Sequence, residues 1–107
     1  MTQPEHRYAL RLQMHREAVK LLEADPHLVA IPLEAIQRWR AGSDLRLDPR
    51  LARWEDLIHK HEWSQFLADT DAGGELRRGS PLSFVVPAEA RIRILQAFST
   101  SPMRHGR

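Results

Sequence analysis

Two Asp-Pro pairs, Asp25-Pro26 and Asp48-Pro49, cut a series of helically spaced apolar residues into short lengths. An aspartate accepts hydrogen bonds from the free N–H groups of a first helical turn, and proline is pre-set for the first helical position. Each pair therefore closes one segment and opens the next. A chain punctuated this way folds as several short helices packed back on one another.

Residues 5–24 carry Tyr8, Leu12, Val19 and Leu22 at helical spacing, widened by Leu10, Met14, Ala18 and Leu21, with His15 inside the stripe. A face this wide serves more than one neighbour, and it would also serve a homodimer. The next segment, about 26–41, is expected to turn Leu28, Val29, Leu33, Ile36 and Trp39 inward. Pro32 removes a backbone bond there, so the expectation is a kink near Ile31-Pro32 or a short turn followed by a new helix. Gly42-Ser43-Asp44 is a stop signal.

A third helix is expected over about 49–61, with Leu51, Trp54, Leu57 and Ile58 on one face. A short fourth, about 62–70, carries Trp63, Phe66 and Leu67, either separate or continuous with the third. Asp69 to Gly74 reads as a loop by composition, with a helical turn around Glu75–Arg78 after it. Ser80 to Val86 reads as extended, because each following proline biases the residue before it away from helix. Pro87 opens a last helix to about Phe98, with Ile92, Leu95 and Phe98 as its apolar face and Ile94 beside it. Residues 99–107 read as a disordered tail. The expected fold is all-α: a single small bundle of four or five helices over residues 1–98, with an extended segment before the last helix. Trp39, Trp54 and Trp63 are expected to be core pillars.

Composition sets the class of object. The 107 residues are 42% hydrophobic and 28% charged, a globular balance. There is no cysteine, which excludes disulfides and thiolate metal sites. No apolar run reaches the ~18–20 residues of a membrane helix, and the N-terminus lacks the layout of a secretory signal. The expected location is the cytoplasm. Net charge is +2 but uneven: beyond residue 75, six arginines (Arg77, Arg78, Arg91, Arg93, Arg104 and Arg107) face the single acid Glu89.

Motifs that would carry chemistry are weak. His59-Lys60-His61-Glu62 is the most metal-like cluster, yet residues two apart diverge on a helix and zinc wants three or four ligands. Asp69-Thr70-Asp71 resembles the start of a calcium loop, but Gly73 and Ser80 stand where further ligands are needed. There is no Gly-x-Ser-x-Gly elbow and no Gly-rich phosphate loop after a strand. Glu55-Asp56 sits beside an apolar stripe and reads as surface. No metal, cofactor or enzymatic activity is therefore expected.

The most distinctive stretch is Leu76 to Pro87, where apolar residues sit in an irregular, basic segment. Such a strap must bury either on its own bundle or in a partner's groove. On that ground Arg77, Arg78, Leu82, Phe84 and Arg91 are the candidate partner-binding residues. The alternative is a small nucleic-acid-binding regulator, since the same arginines would displace counterions from phosphates.

The segment Leu76-Arg77, Ser80-Pro81-Leu82, Val85-Val86, Glu89, Arg91 and Ile94-Leu95 resembles one found in a group of small bacterial proteins of uncertain function. Asp25-Pro26, Trp39 and Trp54-Glu55 are similar to that group's first half. The resemblance implies the antitoxin-side partner of a toxin–antitoxin module, which binds and inhibits a protein encoded nearby, one with a nucleotidyltransferase-like site. The group carries phenylalanine where this chain has Leu82. The expected function is thus a non-enzymatic protein-interaction module.

Overall fold

The computed structural model describes residues 3–42 and 48–99, and every regular element in them is helical. The order is α1 (Gln3–Ala24), a 3₁₀ turn (Pro26–Val29), α2 (Ala30–Ala41), α3 (Pro49–His59), α4 (Trp63–Leu67), α5 (Asp71–Arg77), a second 3₁₀ turn (Pro81–Val85) and α6 (Ala88–Ser99). The stop at Gly42 is as expected, with its N–H on the carbonyls of Arg38 and Trp39. Ser43 and Asp44, and the tail beyond Ser99, lie outside the described residues.

Both Asp-Pro pairs act as caps. Asp25 accepts from His27 N–H at 3.1 Å and Asp48 from Arg50 N–H at 2.9 Å. The awkward Pro32 is accommodated by the second expected route. A separate 3₁₀ turn precedes α2, so Pro32 falls in the first turn of a new helix, where no i−4 carbonyl of that helix needs its missing N–H.

α1 is the axis of the fold: both 3₁₀ turns, α4, α5 and α6 lie against it, while α2 packs on α3 and α3 on α4. Its stripe is buried through Leu12, Met14, His15, Ala18, Val19 and Leu22. Trp54 and Trp63 are core residues, while Trp39 is half-buried and packs 6.0 Å from Trp54, centroid to centroid. No described helix is long and apolar enough to cross a membrane.

Four local readings need correction. α3 stops at His59, because Lys60, His61 and Glu62 form a helix-ending turn. His61 N–H reaches the Ile58 carbonyl (3.1 Å) and Glu62 N–H the Leu57 carbonyl (2.9 Å), with His61 in the left-handed region at φ 56°. Asp71 to Gly74 is helix, not loop, because the Thr70 hydroxyl caps the Gly73 N–H at 3.1 Å. A side chain at Gly73 would collide with the Ala68 carbonyl, so here glycine permits the packing.

The strap is not extended either: Ser80 caps the second 3₁₀ turn by accepting from Leu82 N–H at 3.1 Å. Proline at the first position of a turn starts helical geometry as readily as it ends it. Finally, α6 is rotated from its expected setting. Val86, Ala90 and Ile94 are buried and Phe98 half-buried in a row of four-residue spacing, whereas Ile92 and Leu95 face outward. In that setting Arg91 donates to the Ser83 carbonyl (2.6 Å) and Arg93 lies 3.7 Å from Glu17.

Candidate functional site

A polar seam runs beneath the strap, where α1, α5, the second 3₁₀ turn and α6 meet. At its centre His15, 2% exposed, bonds through Nε2 to the Ser80 hydroxyl at 2.9 Å and through Nδ1 to the Arg11 carbonyl at 2.8 Å. A carbonyl only accepts, so Nδ1 carries the proton and Nε2 accepts from Ser80. Burial pushes the His15 pKa down to about 4, outweighing the Arg11 carbonyl that favours the charged form. The imidazole is therefore neutral at pH 7. The pair has the connectivity of a nucleophile and its base, but Ser80 is 4% exposed and its oxygen also receives the Leu82 N–H. Its visible work is to pin the strap to α1.

Arg77 is the second unusual group. It is 1% exposed and donates from one terminal nitrogen to the carbonyls of Phe66 (3.0 Å) and Ala68 (2.8 Å). Its Nε and other terminal nitrogen have no hydrogen-bond partner. Its guanidinium carbon lies 5.0 Å from the centre of the Tyr8 ring, a cation–π contact. Tyr8 donates to Asp69 at 2.6 Å, and that bond raises its pKa. A buried guanidinium with no carboxylate in hydrogen-bond reach is costly, because desolvation is repaid only by neutral dipoles.

Two clefts flank this seam, both bounded in part by Arg11 and Arg77. The larger, about 520 Å³, lies between α1 and α5. The smaller, about 250 Å³, lies over His15, Ser80 and Arg91 and is walled by Leu10, Met14 and Leu95.

The five residues expected to bind a partner are distributed unevenly. Arg77 and Leu82 (0% exposed) are enclosed by this chain itself. Arg91 is half-buried and tied to the Ser83 carbonyl. Arg78 is exposed, beside Glu75 at 3.4 Å. Phe84 is 48% exposed, its ring tilted against Trp39 at 6.0 Å. The residues that sequence reasoning missed are Ser80, whose partner is 65 positions away, and Tyr8 and Arg11. His15 was marked only by its place inside an apolar stripe.

The metal-like cluster resolves into separate uses. His61 stacks on Trp63 at 5.2 Å, and no group of three ligating side chains able to hold a metal occurs among the described residues. Glu55 pairs with Arg40 at 2.8 Å, which lowers the carboxyl pKa, and Asp56 pairs with Lys60 at 3.2 Å. No family model, curated protein or solved structure matches the chain.

Proposed function

We propose that this chain is a non-enzymatic protein-interaction module, an antitoxin-like partner that docks on another protein through Phe84. The observation that carries this reading is the contrast within one turn. Leu82 and Val85 are buried at 0% and 6%, while Phe84 between them stands 48% exposed with Trp39 behind it. An aromatic held on a pinned turn gives up little conformational freedom on binding, which is what a docking anchor requires.

The partner's chemistry follows from the surroundings. From Leu76 to Ser99 the charged residues are four arginines and the single acid Glu89. Arg78 and Arg93 are the exposed ones, so the fitting surface is an apolar pocket rimmed by carboxylates. Leu82 contributes by seating the turn in the core, Arg91 by holding α6 against it, and Arg77 by bracing the end of α4 against α5.

The test compares tagged wild-type chain with Phe84→Ala, each captured from native lysate with and without nuclease. A stoichiometric protein that survives nuclease and is lost from a folded Phe84→Ala variant supports docking through this ring. Capture unchanged by Phe84→Ala contradicts it. Capture abolished by nuclease instead favours the nucleic-acid regulator, whose affinity falls steeply with salt.

A further inference from the structure

The geometry points to a second site, independent of Phe84: the cleft between α1 and α5 binds a phosphate-bearing small molecule. Four arginines line it, Arg7 and Arg11 from α1 and Arg77 and Arg78 at the end of α5, against two acids, Asp71 and Glu75. Glu75 is engaged by Arg78 at 3.4 Å. Arg7 and Arg11 stand one helical turn apart, where like charges repel, and neither has a carboxylate within ion-pair distance among the described residues.

Arg77 supplies the independent observation. It is 1% exposed, it forms part of the cleft wall, and two of its three guanidinium nitrogens lack any hydrogen-bond partner. Enclosed away from water among the Phe66 and Ala68 carbonyls and the Tyr8 ring, its charge is screened far less than a surface arginine's and raises the positive potential of the cleft. Arg7, exposed, and Arg11, half-buried, supply the contacts, since Arg78 is engaged by Glu75. The lining carries a surplus of two positive charges, which matches a phosphate monoester (about −1.5 to −2 at pH 7) better than a single carboxylate. The cleft volume of about 520 Å³ falls within the range of small-molecule sites.

The experiment is an NMR titration of the isotope-labelled chain with inorganic phosphate, and separately with acetate, at constant ionic strength. Saturable shifts are expected at the Tyr8, Arg11 and Gly74 amides with phosphate and not with acetate. Arg7→Ala/Arg11→Ala is expected to weaken the response at least ~10-fold, the loss of a charged hydrogen bond or more. The Trp54 indole signal, whose N–H donates to the Leu76 carbonyl at 2.8 Å, reports that the variant is folded. Absence of saturation up to ~10 mM phosphate, a millimolar-affinity limit, would overturn the assignment. So would an equal response to acetate, or an unchanged response in the folded double variant.

Discussion

At the scale of single residues, His15 is the group whose chemistry the fold changes most. Its pKa is lowered from 6.5 to about 4 in the folded state. The unfolded chain therefore takes up this proton as pH falls through 6.5, while the folded chain resists until about 4. Stability attributable to His15 is full above pH 6.5 and declines between those two values, by about 3 kcal/mol in all. Urea unfolding of wild-type and His15→Asn at pH 7 and pH 4.5 checks this. Wild-type is expected to lose clearly more stability than the variant across the interval, and equal losses would assign the pH dependence to other groups. Arg77 shows the limit of reading residues singly. Arginine belongs on surfaces by composition, and nothing near Arg77 in sequence announces that the carbonyls of Phe66 and Ala68 will enclose it.

At the scale of elements, α1, α2 and α3 were legible because wide stripes and Asp-Pro caps are local signals. What failed were short elements whose signals are a single hydroxyl. Thr70 and Ser80 convert an apparent loop and an apparent extended strap into α5 and a 3₁₀ turn. The setting of α6 was ambiguous because 92/95/98 and 90/94/98 are both helical rows, and the row that the core takes up, Ala90 and Ile94, also lets Arg91 reach the Ser83 carbonyl. The end of α3 was missed because its left-handed residue is His61 rather than glycine. That position gives a prediction: His61→Gly removes the backbone strain and is expected to stabilise by up to about 1 kcal/mol. Loss of the ring contact with Trp63 offsets part of that gain. A denaturation midpoint lower than wild-type would show that the stacking outweighs the strain.

At the scale of the whole molecule, residues 76–98 are packed into the fold rather than held out for a partner. The second 3₁₀ turn is seated against both α1 and α2, and the His15–Ser80 bond and the Arg91 bond to the Ser83 carbonyl tie it there. The sequence left open whether this apolar strap buries on its own bundle or elsewhere, because apolarity states that a segment must be covered but not by what. In the folded chain the question divides by residue: Leu82, Val85 and Val86 are spent on the core, and Phe84, Ile92 and Leu95 are left outside. That division leaves the Phe84 ring available for the docking proposed above and places Leu95 in the wall of the smaller cleft.

Amide hydrogen exchange on the isolated chain tests this most directly, read at Ser80, Leu82 and Val86. Their N–H groups donate to the Arg77 carbonyl (3.2 Å), the Ser80 hydroxyl (3.1 Å) and the Ser83 carbonyl (3.2 Å). If the strap belongs to the core, Leu82 and Val86 exchange as slowly as the buried middle of α1, through global unfolding. Exchange of all three amides at the rate of an unstructured peptide, with α1 still protected, would mean that the strap is free for a partner to fold and would contradict the account.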